Sequence, residues 1–284
     1  MRTFQRFFGY GLGVLTLTAC SPAAVRGGGY CSPPAVPQLS FSSDPEPPPG
    51  ASRGARMAAL LGLSSTVSAT PALEARVRVV ERVELARLAI ASTSAELDCE
   101  SERAEQAANY LTRGQTKNVQ LLTIGSVAAA ALTGIAGVFL STHQAPSGDQ
   151  EGLAIGGGVA TAALGLASLY VHPRTDFEHR RNLLADVWSG PAASSTYPPL
   201  VWAYLTRAEF SNSQTEPIRQ KIVGRWRRFE QVDDPASAAL LFGTGGSYDA
   251  DSLRTRAAML DEVRAEVELT EQDLMAFAGA IVPP

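Results

Sequence analysis

Residues 79–111 read VVERVELARLAIASTSAELDCESERAEQAANYL. Within this stretch Val79, Val83, Ala86, Ile90, Thr93, Leu97, Ala104, Ala107 and Leu111 follow steps of three and four. That spacing is the seam of an amphipathic helix, and Glu100 is the one gap on it. Glu74, Arg78, Glu81, Arg82, Glu84 and Arg87 fall on the other faces. Upstream, Thr70 reads as an N-cap with Pro71 at the first helical position. Residues 57–118 are therefore expected to hold a long amphipathic helix of about forty residues, about 60 Å at 1.5 Å per residue. Met57–Leu63 precedes it as one or two apolar turns. A seam of this length needs a partner, either another copy or the C-terminal region of the same chain.

Downstream, residues 119–171 change character. Leu121–Leu140 carries no charge, Ser141–Gly152 is a polar turn, and Leu153–Val171 is again uncharged. Two such segments of about twenty residues have membrane-spanning length and read as a helical hairpin. Gly125, Ala129, Thr133 and Gly137 recur at four-residue spacing, as do Gly157, Thr161 and Gly165. Small side chains at Gly125, Ala129, Gly137, Gly157 and Gly165 would let the two backbones approach closely. The pattern resembles the glycine-zipper hairpins of small envelope lipoproteins. Insertion into a membrane, self-association and burial against the chain's own helices are the three readings.

Past residue 171 the chain reads as a small helical domain, 172–284. Helices are expected over Thr175–Ser189, over Leu200–Arg207, after Thr215 and Pro217, and from Asp234-Pro235 to Gly243. Two more are expected, one capped by Asp251 or Ser252 over Leu253–Leu269 and one capped by Thr270 with Asp273. Trp188, Trp202, Tyr204, Trp226 and Phe229 would fill its core. The expected fold class is all-α: a long amphipathic helix, an Ala/Gly-rich apolar helical hairpin, then this C-terminal domain.

At the other end, residues 1–19 begin with Arg2 and Arg6, continue with an apolar run from Phe7 to Leu17, and close on small residues. This is the pattern of a secretory signal peptide. Leu17-Thr18-Ala19-Cys20 resembles the lipobox of bacterial lipoproteins. The resemblance implies cleavage before Cys20, acylation of that cysteine and attachment to membrane lipid through it. Because Ser21 rather than Asp follows, it also implies an outer-membrane protein facing the periplasm. Several acyl chains on one cysteine would anchor it stably. Residues 20–56, with Pro47-Pro48-Pro49-Gly50, read as an extended tether that holds the folded part away from the lipid.

Lipidation places the N-terminus outside the cytoplasm. A hairpin crossing the inner membrane would then put the Ser141–Gly152 turn in the cytoplasm, where Lys and Arg are expected. The turn instead carries Asp149 and Glu151. The charge pattern is inverted for an inner-membrane hairpin.

The formal net charge is −4. A mildly acidic, exported chain is a poor partner for nucleic acid. Cys31 and Cys99 remain after Cys20 is acylated, an even pair in an oxidising compartment, and are a possible disulfide.

Little reads as catalysis. His143, His172 and His179 form no metal-ligand pair at helical spacing, and no metal or other cofactor is expected. Glu178-His179 reads as a solvated helix face. Gly243-Thr244-Gly245-Gly246-Ser247 lacks the ending of a phosphate loop and reads as a helix stop with a flexible loop. Tyr248-Asp249-Ala250-Asp251 reads as a capping turn rather than a calcium site. Arg219, Lys221, Arg225, Arg227 and Arg228 share one helix with Ile218, Ile222, Val223, Trp226 and Phe229. That helix reads as a core-facing element with a solvated basic side rather than as a membrane-binding one.

The functional expectation is a non-enzymatic, membrane-anchored envelope lipoprotein with a structural or assembly role. The alternatives are a subunit of an envelope secretion or transport apparatus, and an enzyme with a site in the C-terminal helices. Self-association through the long helix and hairpin is the expected protein contact.

Overall fold

A computed structural model describes residues 31, 44–45, 47–48, 50–64, 73–142, 172–232 and 234–281. At residues 129, 132–134 and 136–142 only the helical backbone is described. The fold is mostly helical, with one small two-stranded ribbon.

A short helix, α1 (Arg53–Leu60), starts at Ser52, whose hydroxyl accepts the Ala55 amide. It buries Met57, Ala58, Ala59 and Leu60. Helix α2 then runs without a break over Leu73–Thr142, 70 residues and about 105 Å. The expected border at residue 118 is therefore not a structural border. The first arm of the expected hairpin is the continuation of the amphipathic helix. No proline falls within these 70 residues, and neither Gly114 nor Gly125 interrupts the backbone ladder.

The seam reads in the structure as it does in the sequence. Val79, Ala86, Ile90, Thr93, Leu97, Glu100, Ala104, Ala107 and Leu111 are all buried. Their partner lies in the same chain: the terminal helix α7 (Ala250–Ile281), 32 residues, packs antiparallel along α2. Arg254 reaches Thr112 at one end, Ser101 donates to the Ala257 carbonyl, and Arg264 pairs with Asp98 further along. α7 is a single helix where two were expected. Thr270 is buried within it rather than capping a new one, because Val267, Leu274 and Phe277 continue the apolar stripe through that point.

Between the two long helices lie the smaller elements. Strand β1 (Thr175–Glu178) pairs antiparallel with β2 (Gly245–Tyr248), Thr175 opposite Tyr248 and Glu178 opposite Gly245. Neither strand was expected. Thr175–Ser189 reads as one helix in sequence, but only its second half is helical, as α3 (Leu183–Ser189), capped by the Asn182 side chain. Gly243 stops the preceding helix, as expected, but the residues from Gly245 on are the partner strand rather than a flexible loop. Gly245 makes this possible: at φ +109°, a Cβ would stand 2.2 Å from the Phe177 carbonyl oxygen.

Helices α4 (Pro199–Thr206), α5 (Ile218–Arg228) and α6 (Pro235–Phe242) complete the body. Asp234 caps α6 in a capping box with Ser237. Trp202, Tyr204 and Trp226 are buried as expected, but Phe229 is 66% exposed. It follows the last turn of α5 as the C-cap.

The segment read as a tether is partly docked. The Asp44 amide donates to the Ala59 carbonyl, and the Ser64 amide donates to the Asp44 carboxylate. Among the described side chains, no helix is long and apolar enough to cross a membrane.

Candidate functional site

The candidate site grows from the one polar interruption on the α2 seam. Glu100 and Glu96 lie one helical turn apart, both buried. Arg103 donates twice to Glu100, at 2.7 and 3.2 Å. The same guanidinium donates to the Glu178 carbonyl at 3.0 Å and lies 4.0 Å over the Phe177 ring. It thereby pins β1 to α2. Arg181 pairs with Glu96 at 3.1 Å and also donates to the Thr196 carbonyl. Two carboxylates on one helix face thus hold two arginines, Arg103 from the same helix and Arg181 from the chain segment after residue 171.

Asn182 is the hub of the far side. Its amide nitrogen donates to the Leu241 and Gly243 carbonyls at 2.9 and 2.8 Å. Its oxygen accepts from the Leu184 amide and from Arg256 Nη1. Arg256 is fully buried on α7 and also donates to the Leu241 carbonyl at 3.0 Å. Burial lowers its pKa to about 10, partly offset by the Tyr248 hydroxyl and Glu100. Among the described residues, its Nε and Nη2 meet no partner at hydrogen-bonding geometry.

His179 closes the cluster. It is buried, not part of a solvated helix face, because β1 delivers it against the end of α6. Nδ1 stands 3.1 Å from the Gly243 carbonyl and 3.3 Å from the Asn182 amide nitrogen. Nε2 faces the Tyr248 hydroxyl at 3.1 Å. Burial, then the charge of Arg256, pushes the imidazole down to about 3. Burial likewise raises Glu96 to about 6 against the pull of Arg181. One edge of the ribbon opens on a cavity of about 460 Å³, lined by Asp176, Glu178, His179, Arg180 and Thr244 among others.

The arrangement is a polar lock. It ties α2, the ribbon, α3, α6 and α7 at one point, and a misregistered packing would strand several buried charges. Sequence reading marks Glu100 as a gap in the seam, and His179 and Tyr248 only in other roles, as a solvated face and a capping turn. Arg181, Asn182, Tyr248 and Arg256 join Glu100 and Arg103 from distant segments, and no local spacing marks them.

The residues singled out from sequence fall elsewhere. Cys31 and Cys99 are joined by a disulfide, with Cα atoms 5.5 Å apart. Cys20, Gly157, Gly165 and His143 lie outside the described residues. Gly125 lies on α2, where an added Cβ would meet nothing within 4 Å. Ala129 and Gly137 sit in the helical backbone of α2. Asp249 accepts from the Ser252 amide and hydroxyl at the start of α7, as a capping turn does. Among the described residues, no group of three or more His, Cys, Asp or Glu side chains is placed to hold a metal ion.

The basic side of α5 is largely engaged. Arg219 donates to the Val187 and Trp188 carbonyls, Arg225 pairs with Glu262 and Glu266, and Arg227 lies 5.0 Å from the Trp188 ring centre. The chain matches no protein-family model, no curated protein and no solved structure.

Proposed function

We propose that this protein is a lipid-anchored strut of the bacterial cell envelope, with a structural or assembly role. The observation that carries the reading is the use made of α2. Its first part is closed by α7 along the seam, and Leu111 is the last buried residue among its described side chains. The remaining turns, to Thr142, continue for about 46 Å as a projecting helix. A rod with one half built into the body and one half outside it suits a structural or assembly element. The lipobox-like Leu17-Thr18-Ala19-Cys20 supplies the anchor in this reading, and Ser21 favours the outer membrane with the body in the periplasm. The charge lock supports the same role, since it fixes the rod rigidly to the body.

The test is Cys20→Ser. In cells given an alkyne-tagged fatty acid, the unsubstituted chain should be labelled and should sediment with membranes. The variant should be unlabelled and remain an uncleaved precursor. Equal labelling and processing of both would remove the anchor from the account.

A further inference from the structure

We propose that the projecting part of α2 lies on the lipid surface that holds Cys20, apolar face down, and that the Cys31–Cys99 disulfide sets this orientation. The proposal rests on the lipoprotein reading. Cys99 sits near the middle of α2, and the bond fixes residue 31 there. Only the eleven residues Ser21–Cys31 then link the lipid to the rod. They extend at most about 36–40 Å. The Pro-rich stretch from Pro33 to Pro49 lies beyond the bond and adds nothing to this span.

The side of α2 on which the tether arrives is the apolar side. A straight helix turning about 100° per residue places Tyr110, Leu121, Ile124, Ala128, Ala131 and Ile135 within about 40° of the direction of Cys99. All six are exposed, Leu121 at 68%, Ile124 at 64% and Ile135 at 67%. Leu121 stands about 33 Å along the axis from Cys99, within reach of the tether.

Two further observations point to lipid. From Gln106 to Thr142 the only charges are Arg113 and Lys117, both basic and both on this side, where they would meet anionic headgroups. The hydroxyls of Thr112, Thr116, Thr123 and Ser126 each donate to a carbonyl three or four residues back. By the same rule these four residues lie about 100° or more from the direction of Cys99, so the face turned to lipid carries none of them.

The test uses the full mature chain in vesicles of phosphatidylethanolamine and phosphatidylglycerol, with a photo-crosslinking phenylalanine analogue at Ile124, Ile135 or Ala130. Ala130 lies on the opposite, exposed side. Mass analysis first establishes whether Cys20 is acylated. Lipid adducts at Ile124 and Ile135, and few at Ala130, are expected. Joint replacement Cys31→Ser and Cys99→Ser moves the first tie point to Asp44, and the adduct yield should fall roughly three-fold with the longer tether. Equal adducts at Ala130, adducts to a second copy of the chain, or no adducts on an acylated protein would each overturn the proposal and leave the anchor standing. A bare Cys20 would overturn both.

Discussion

The Cα atoms of Cys31 and Cys99 stand 5.5 Å apart across a bond that closes 68 residues of chain. Closing a loop of that length restricts the unfolded chain and contributes about 2–4 kcal/mol. Urea unfolding in detergent, with and without reductant, should show the reduced protein less stable by this amount. Coincident unfolding curves, or two thiols free to alkylate before reduction, would contradict the bond.

Helix α2 should respond differently along its length. Leu97 is fully buried on the seam, so Leu97→Ala should cost about 2–5 kcal/mol. Val127 is 64% exposed, so Val127→Ala should change stability in detergent by less than about 0.5 kcal/mol. Similar losses at the two sites would mean that the distal part of α2 is also packed into the body.

Glu96 gives a signed pH dependence. Burial holds its pKa at about 6, above the ordinary 4.5, so the folded state binds the proton more tightly than the unfolded chain. Its favourable contribution is complete below about 4.5 and is lost as the pH rises through about 6. The effect is on the order of 2 kcal/mol. Urea midpoints of Glu96→Gln should lack this component when compared with the parent between pH 4 and 7. Parallel pH profiles would remove the group from the lock.

His179 has the opposite sign. Its imidazole titrates near 3 in the fold because of burial and Arg256, against 6.5 ordinarily. The stability it contributes is complete above about 6.5 and declines as the pH falls toward 3. In NMR titrations its C2 proton should stay at the neutral-form position from pH 7 down to about 4. Arg256→Met should raise its pKa, and a normal titration in the parent protein would show the ring to be open to solvent.

The ribbon depends on one backbone position. Gly245→Ala would drive a Cβ into the Phe177 carbonyl at a φ of +109°. A loss of about 1–3 kcal/mol is expected, with His179 exposed to exchange. An unchanged unfolding midpoint would show that the ribbon does not hold the lock.

The parts legible in sequence are those with a sustained period. The α2 seam repeats through nine apolar or small positions, and even its polar gap, Glu100, marks the true packing line. The α6 cap was readable because Asp234, Pro235 and Ser237 act locally. The ribbon was not, since two four-residue strands separated by more than sixty residues carry no detectable alternation. Thr270 resembled a cap because Asp273 follows it, but burial of the stripe on either side overrode that local signal. The charge lock was illegible for the same reason as the ribbon: Arg181, Asn182, Tyr248 and Arg256 meet only after the long helices pair.

The anchor is the claim on which the functional account turns, and the N-terminal peptide of the mature protein tests it most directly. Trypsin should release residues 20–26, CSPAAVR, from membrane-extracted protein. The account predicts that mass spectrometry finds this peptide beginning at Cys20 and carrying acyl chains. A mature chain that begins elsewhere, or an unmodified Cys20, would contradict it.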